Sequence, residues 1–282
     1  MRRILALAIA ALLVVTACGP GASPGPTQAA APSFAADSTM GAIQAKGMLT
    51  CGVKFDVIAF GFRNPTTSEV EGFDADLCRE IAAALGVQPE FVEAISANRI
   101  PFLLEDRVDV VISTMTRTAA RLEEIDFSKI YYLAGQKILV KSESTYQSVA
   151  DLVSATVNVC SAQGSTSEAN LRTEGVAEAN LVLFGTYSEA ATALMDGRCE
   201  AVSTDDSILF GLAQQNPGTE VRGEVFSSEP LGIGIKKGKD DLVQFVNGVL
   251  DAMAADGRWA ALYDKHIKPY TGEDAPEPPL DM

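Results

Sequence analysis

Short apolar runs alternate with segments of helical period in the first half of the chain. Apolar runs at residues 49–53, 90–93 and 108–113 predict strands. Between them, residues 74–85 have a helical period that a glycine closes, and a second helix ends at Leu104. Strands that alternate with helices are typical of βαβ units, so the pattern predicts an α/β fold with a mostly parallel sheet.

The same alternation returns in the second half and predicts another small α/β unit. The predicted strands are residues 138–140, 156–160, 181–184 and 201–204, and the predicted helices begin near Ser165 and Ser188. Residues 103–111 are similar to residues 193–202, which indicates either a duplication or only the pattern common to βα units. On either interpretation Thr114 and Asp205 come just after strands, where open α/β sheets bind ligands.

The C-terminal part supplies an amphipathic helical region, residues 241–265, broken at Gly257. If the strand at residues 231–235 returns to the first unit, two crossings join the lobes, near residues 134–138 and 231–235, and act as a hinge. The sequence thus predicts a two-lobed fold. Its parts are lobe 1 (40–135 and 235–272), lobe 2 (136–234) and a C-terminal tail (273–282).

The first residues predict export. Arg2 and Arg3 precede an apolar run, residues 4–15, that is too short to span a bilayer and is typical of a signal peptide, here residues 1–17. The sequence Val-Thr-Ala-Cys ending at Cys18 resembles the bacterial lipobox, which implies lipidation of that cysteine; the alternative is a chance cysteine beside an ordinary cleavage site. Residues 18–39, rich in Gly, Pro, Ala, Ser and Thr, are predicted to be a flexible linker. We therefore expect an extracytoplasmic protein anchored by lipid to the cell membrane.

The charge of the chain limits its partners. The formal net charge is −15, and loss of Arg2 and Arg3 with the signal peptide makes it about −17. Nucleic acid is a poor partner for such a surface. An anionic ligand would have to be bound by cations placed locally in a site.

The four cysteines that remain after Cys18 favour disulfides. The thiols of an exported protein are in an oxidising environment, where disulfides form. The chain has no C-x-x-C pair and one histidine, His266, so neither a metal site nor a cofactor is expected. Spacing alone does not fix connectivity. Because each predicted lobe holds one pair, we predict the bonds Cys51–Cys78 and Cys160–Cys199.

Six stretches, in the same order along the chain, resemble the polar amino acid solute-binding proteins of ABC importers. They are VEGFDADL (70–77), ANRIPFL (97–103), TMT (114–116) with Arg121, IDFS (125–128), QGST (163–166) and DDL (240–242). The similarity extends from about residue 47 to residue 263. It implies two α/β lobes that close on an amino acid, a monomer that is not an enzyme, and an ABC permease as partner.

The resemblance assigns the α-carboxylate of the ligand to Arg121, whose planar fork can donate two parallel hydrogen bonds. Thr114 and Thr116 would add hydroxyl and backbone N–H donors. The alternative for Arg121 is an exposed helix arginine paired with Glu123 or Glu124.

A second group of candidates lies in the second half. Gly164, Ser165 and Thr166 stand between a strand and a helix, where free N–H groups can bind an anion, and Thr166 matches the family residue that completes the carboxylate shell. Helix capping alone is the alternative for them. Asp205 resembles the aspartate that pairs with the α-ammonium, and its neighbour Asp206 is the expected helix cap.

The side-chain pocket favours an acidic ligand. Lys54 and Arg99 match positions that carry arginines in family members binding glutamate and aspartate, and Tyr187 falls at a pocket position. A neutral ligand would leave a buried cation unpaired at a cost of several kcal/mol. We therefore expect glutamate or aspartate. The choice between them stays open because a lysine lacks a planar fork, and the alternative for Lys54 is a solvated rim lysine paired with Asp56.

Other functions fit the same resemblance. The protein could be a lipoprotein that signals extracellular amino acid to a membrane sensor, or a receptor for glutamine or another polar amino acid. A cyclohexadienyl-type dehydratase on the same fold is a remote alternative, since catalysis needs a general acid or base in the cleft and only charge-matching groups are recognisable.

Overall fold

The computed structural model describes residues 33–281. The predicted signal peptide, Cys18 and residues 18–32 of the predicted linker lie outside the described residues. Within the described part, every helix is too short or too polar to cross a bilayer.

Helices and strands alternate along the described chain. The helices are α1 (Thr39–Lys46), α2 (Phe73–Leu85), α3 (Arg99–Leu104), α4 (Ala119–Glu124), α5 (Val149–Ala155), α6 (Thr166–Thr173), α7 (Tyr187–Met195), α8 (Asp206–Gln215), α9 (Asp240–Asp256), α10 (Arg258–His266) and α11 (Lys268–Thr271), with a 3-10 turn at Glu178–Asn180. The strands are β1 (Met48–Val53), β2 (Asp56–Val57), β3 (Gly61–Arg63), β4 (Val70–Glu71), β5 (Gln88–Glu93), β6 (Val110–Val111), β7 (Ile125–Lys141), β8 (Val159–Ala162), β9 (Leu181–Phe184), β10 (Ala201–Asp205), β11 (Thr219–Arg222) and β12 (Ser228–Lys236).

Nine strands form one continuous sheet in the order β5-β1-β6-β12-β7-β10-β8-β9, with β11 also paired to β7, and β2, β3 and β4 form a small separate sheet. The outer strands pair in parallel, whereas β7 and β12 run antiparallel to their neighbours. This is the α/β architecture that the alternating pattern predicts. The first lobe consists of β5, β1, β6, β12 and the start of β7, with the helices packed on them and the small sheet of β2, β3 and β4, which contacts α2. The second lobe consists of the end of β7, β10, β8, β9 and β11, with the helices packed on them, α7 and α8 included.

The chain crosses between the lobes at the middle of β7. Residues up to Gly135 pair with β12, and those from Gln136 onward pair with β10 and β11. The returning chain comes close at this point, because a Cβ on Gly135 would lie 2.3 Å from a methyl of Val225, so a larger residue would force the Val225 side chain to move. Ser228 already pairs with Gly135. The second crossing therefore precedes Ser228, earlier in the chain than the predicted boundary at residue 234.

An aromatic cluster joins the two ends of the chain in the first lobe. The rings of Phe73, Tyr131 and Trp259 are in contact, and the indole N–H of Trp259 donates to the Tyr131 carbonyl over 2.9 Å. Trp259, on α10, is fully buried. The C-terminal helices thus complete the core that the N-terminal strands begin.

Both predicted disulfides are present. Cys51 on β1 is bonded to Cys78 on α2, and Cys160 on β8 to Cys199, just before β10. Each bond closes a loop within one lobe. By the loop-entropy estimate, such bonds stabilise the fold by about 3–4 kcal/mol each.

Several predicted elements shift in the structure. The predicted strand at 156–160 is misplaced: residues before it form α5, Thr156 ends that helix in the left-handed region (φ 55°), and the strand is Val159–Ala162. The predicted strand at 108–113 is reduced to Val110–Val111. The sequence analysis also missed several short elements, which have too few residues to show a period. They are α1, α4, α5, α11, β2, β3, β4 and β11.

Two segments predicted to be linker and tail pack against the folded domain where the structure describes them. The Phe34 ring contacts the Phe245 ring of α9, and the Thr39 hydroxyl donates to Asp241 over 2.7 Å. At the other end, Ala275 and Leu280 pack against the core. The ordered domain therefore begins before residue 40 and extends beyond residue 272.

Candidate functional site

Lys54 lies at the end of β1 with 2% of its surface exposed. Its Nζ donates to the Ser96 hydroxyl over 3.0 Å and lies 5.3 Å from the centre of the Tyr187 ring, which comes from the second lobe. Burial and then the charge of Arg99 lower the Lys54 pKa to about 8, although nearby carboxylates oppose the shift. The alternative of a solvated rim lysine paired with Asp56 is therefore wrong.

Arg99, the first residue of α3, is buried to the same extent. Its guanidinium donates to the backbone carbonyls of Ser96, Ser113 and Thr114 and, over 3.4 Å, of Gly164 in the second lobe. Burial, followed by repulsion from a neighbouring arginine, lowers its pKa to about 9. Every one of these acceptors is neutral, so the charge of Arg99 is hydrogen-bonded but not neutralised by an ion pair.

Arg121 on α4 points toward the same carbonyl. It donates to the Thr116 carbonyl over 2.7 Å and to the Gly164 carbonyl over 3.2 Å. Burial lowers its pKa. The alternative in which Arg121 pairs with Glu123 or Glu124 is wrong.

Gly164 has a different role from the one predicted. Its N–H, expected to bind an anion, donates to Glu168 over 2.7 Å, and its carbonyl accepts from both arginines. Its φ is +76°, and a Cβ here would lie 2.8 Å from the Cα of Ala97 in the first lobe. Glycine is required because the two lobes meet at this residue.

Ser165 and Thr166 begin α6. Ser165 is the N-cap, its hydroxyl accepting from the Glu168 N–H over 3.1 Å, so the capping alternative holds for this residue. Thr166 is the first residue of the helix, and its own N–H is one of the amides without an intrahelical partner. That amide is available to a bound anion.

Glu229, which the sequence analysis missed, accepts hydrogen bonds from the hydroxyls of two predicted site residues. It is 2% exposed and accepts from the hydroxyls of Thr116 (2.6 Å) and Thr166 (2.7 Å), and also from Asn170 and Ser227. Because each hydroxyl has one proton, a threonine that donates to Glu229 cannot also donate its hydroxyl to a ligand carboxylate. No sequence motif distinguished this glutamate.

Asp74, also missed, lies fully buried at the start of α2. It accepts from the Thr114 N–H and the Tyr131 hydroxyl, each over 2.9 Å. Burial raises its pKa to about 6, although these two hydrogen bonds and nearby cations oppose the shift. Asp74 thereby fixes the turn at Thr114 (φ 43°) and uses the backbone N–H that was predicted to contact the ligand.

Asp205 is the last residue of β10 and is 4% exposed. Within residues 33–281 its carboxylate accepts no hydrogen bond, and burial, with repulsion from Glu229 and Asp206, raises its pKa well above the usual value. Asp205 occupies the N-cap position of α8 without a capping bond, and Asp206 instead accepts from the Ser207 N–H over 2.7 Å. The Asp205 carboxylate therefore keeps its capacity to bind a cationic group.

The predicted site residues thus converge between the lobes from both halves of the chain. Lys54, Arg99, Thr114, Thr116 and Arg121 come from the first lobe, and Gly164, Ser165, Thr166, Tyr187 and Asp205 from the second. A different cavity, of about 340 Å³, lies near Tyr132, Asp206, Trp259 and the C-terminal residues, and none of these ten residues lines it. The arrangement between the lobes offers cations without ion pairs and one carboxylate without donors, which suits a molecule that carries both signs of charge.

Comparisons with known proteins show what the chain is similar to. Residues 49–269 match the family described as bacterial extracellular solute-binding proteins, family 3. The chain is 39% identical to the ABC transporter glutamine-binding protein GlnH of Bacillus subtilis, covering 95% of this chain and 98% of that protein. It is 30% identical to the glutamate-binding protein GluB of Corynebacterium efficiens, covering 95% and 89%.

Solved structures show the same two-lobed periplasmic-binding fold of type II. The solute receptor for L-cysteine of Neisseria gonorrhoeae superposes with a TM-score of 0.78 at 30% identity, covering 85% of this chain and 97% of that one. An ancestral amino acid-binding protein, AncCDT-1, described as a precursor of cyclohexadienyl dehydratase, superposes with a TM-score of 0.76 at 35% identity, covering 82% and 100%.

Proposed function

Because the chain belongs to the bacterial extracellular solute-binding proteins of family 3, and so is an amino-acid-binding component of an ABC importer rather than an enzyme, we propose that its ligand is an acidic amino acid, glutamate or aspartate. The ligand binds between the two lobes, and the closed protein delivers it to the permease.

The observation that carries this proposal is the state of three cations in the cleft, two of them buried and the third, Arg121, half-buried. In the part of the chain that the structure describes, Lys54, Arg99 and Arg121 donate only to hydroxyl or carbonyl oxygens. An acidic amino acid supplies two carboxylates for these cations and an ammonium for Asp205. We assign the α-carboxylate to Arg121 with the amide of Thr166, and the side-chain carboxylate to Lys54 and Arg99.

Desolvation supports an anionic side chain. The Lys54 pKa of about 8 reflects the cost of holding an ammonium away from water. A second carboxylate would offset that cost through direct pairing, whereas a carboxamide offers only a dipole. The acidic ligand therefore gains more from this pocket than its neutral isostere.

Glutamine is a second candidate, and two observations favour it. Relatives 39% and 41% identical, from Bacillus subtilis and Geobacillus stearothermophilus, are named for glutamine binding. In addition, the three buried carboxylates Asp74, Asp205 and Glu229 equal in number the two buried cations Lys54 and Arg99 together with the half-buried Arg121, so a neutral ligand would leave the cleft without net charge. Glutamine is the second candidate because Asp74 and Glu229 already accept hydrogen bonds from Tyr131 and from other hydroxyl and amide groups of the protein.

Isothermal titration calorimetry with glutamate, aspartate, glutamine and arginine separates the candidates. The proposal expects glutamate or aspartate to bind at least tenfold more tightly than glutamine. Tight glutamine binding with little or no heat from either acidic amino acid would replace the ligand class, and tight arginine binding would reject both candidates.

We also propose that lipid on Cys18 holds the protein at the outer face of the membrane, within reach of the permease. Replacing Cys18 with alanine should move the protein from the membrane fraction to the soluble fraction. An unchanged distribution would reject the anchor. Uptake that persists in a strain without the protein would favour the sensing role over transport.

A further inference from the structure

A carboxylate of the first lobe lies at the beginning of a helix of the second. Asp56, on β2, accepts hydrogen bonds at one oxygen from the backbone N–H of Tyr187 (2.9 Å) and of Ser188 (3.2 Å). The Ser188 hydroxyl donates to the Asp56 carbonyl over 3.2 Å. Tyr187 and Ser188 are the first two residues of α7.

Helix geometry makes this contact favourable. The first amides of a helix have no intrahelical partner, and the helix dipole places partial positive charge there. Thr186, the N-cap within the second lobe, accepts from the third amide, that of Glu189, over 3.2 Å. The α7 terminus is therefore capped twice, once by its own lobe and once by the other.

The same contact reaches the ligand pocket. Tyr187 carries one of the amides that Asp56 binds, and its ring lies 5.3 Å from the Nζ of Lys54, two residues before Asp56. Two residues after Asp56, Ile58 packs against α8, where a Cβ on Gly211 would lie 2.8 Å from an Ile58 methyl. This short segment thus contacts two helices of the second lobe and also supplies a pocket cation.

We propose that Asp56 is a positioning residue for ligand binding: it holds the start of α7 so that Tyr187 stays over Lys54, and it stabilises the closed arrangement of the lobes. The Asp56 carboxylate lies on the first lobe, and the two N–H groups that donate to it lie on the second. The contact is therefore lost when the lobes separate. Asp56 therefore stabilises the closed, ligand-binding state and not the folding of either lobe. This inference rests on the proposed function only in requiring that an amino acid binds between the lobes.

The test compares Asp56→Ala with the matched control Thr186→Ala, using whichever of the common amino acids stabilises the wild-type protein in a thermal-shift screen. Asp56→Ala should weaken affinity about tenfold, equal to about 1.4 kcal/mol, mainly through faster dissociation, with the ligand-free Tm nearly unchanged. Thr186→Ala should lower the ligand-free Tm and change affinity less than twofold. Asp56→Asn, which keeps an acceptor but no charge, should fall between wild type and Asp56→Ala. Unchanged affinity in Asp56→Ala, or equal losses in both alanine variants, would overturn the proposal.

Amide hydrogen exchange gives a readout that does not depend on the ligand's identity. The amides of Tyr187 and Ser188 should exchange faster in Asp56→Ala than in wild type, whereas Thr186→Ala should expose the Glu189 amide instead. If glutamine rather than glutamate binds, the assignment of an acidic ligand fails while the Asp56 comparison still applies. The exchange is measured with ligand bound, because the contact exists only in the closed state, and equal exchange at Tyr187 and Ser188 in the ligand-bound wild type and Asp56→Ala would reject the contact.

Discussion

The ligand cleft and the aromatic core of the first lobe both contain buried side chains but are opposite in chemistry. Trp259 in the core has its ring contacts and its one donor satisfied within the protein. In the cleft, Arg99 and Asp205 are hidden from water without a partner of opposite charge at hydrogen-bonding distance. The core therefore contributes its free energy to folding, whereas the cleft keeps unmet electrostatic interactions that a ligand can satisfy.

This contrast predicts that a core change alters stability and leaves recognition intact. Trp259→Ala should lower the free energy of unfolding by about 3–5 kcal/mol because it leaves a large cavity and unpairs the Tyr131 carbonyl. Denaturant unfolding measures the loss. Calorimetry on the folded fraction should give nearly the wild-type affinity, and a large change in affinity would mean that core and cleft are not separable.

Arg121→Ala is the reverse case. It should weaken binding of every amino acid by about 3 kcal/mol, because the ligand α-carboxylate loses its charged partner in a buried site. The ligand-free protein should unfold within about 1 kcal/mol of wild type, since the arginine pairs with no carboxylate. Calorimetric titration and urea unfolding on the same preparation test both parts, and affinity loss for only some ligands would contradict the assigned role.

Arg99→Ala tests which part of the cleft distinguishes acidic from neutral ligands. It should weaken acidic ligands by about 2 kcal/mol and neutral ones by much less, because only an acidic side chain pairs with this cation. Arg99→Lys keeps the charge and is the matched control; it should recover part of the affinity. A uniform loss across glutamate, aspartate and glutamine would indicate that Arg99 acts through the carbonyls it binds and not through its charge.

The smallest expected effect is a pH dependence carried by Lys54. Its folded pKa of about 8 is below the unfolded value near 10.4, so the ammonium is destabilising at neutral pH and that penalty disappears as pH rises through 8 to 10. A bound carboxylate favours the protonated form, so acidic ligands should bind with proton uptake near pH 8 and weaken by up to about 1 kcal/mol per pH unit above it.

Titrations in buffers of different ionisation enthalpy measure this proton uptake. Lys54→Met, which has a similar length and no charge, should abolish the uptake and flatten the pH profile between 7.5 and 9. A wild-type profile that is flat over this range, with no proton uptake for an acidic ligand, would show that Lys54 does not contact the ligand's side chain.

The local sequence pattern was sufficient to predict helices and strands that are long enough to show a repeating period. Residues 74–85 show helical period and a terminal glycine, and the helix is Phe73–Leu85 with Gly86 in the left-handed region. Residues 181–184 were predicted as a strand with the observed ends. Two-residue strands such as β2 have no period to read, and they exist because neighbouring strands pair with them.

The candidate site was predictable as a set of residues but not as a set of interactions. The motifs identified Thr116 and Thr166, yet the direction of their hydroxyl bonds depends on Glu229, more than sixty residues away in the chain from either. Likewise, the sequence offered Asp56 as an alternative partner for Lys54, whereas its carboxylate accepts hydrogen bonds from a helix of the other lobe.

The sequence by itself determined the α/β class, the two disulfides and the ten residues that meet between the lobes, because these follow from local periodicity, from the even distribution of cysteines and from motifs preserved in order. Only the tertiary structure decided where the chain crosses between lobes, which carboxylates accompany the buried cations and which N–H and hydroxyl groups remain free for a ligand. The physical reason is that hydrogen bonds and buried charges depend on distances of a few ångströms between residues remote in sequence, and no local pattern encodes those distances.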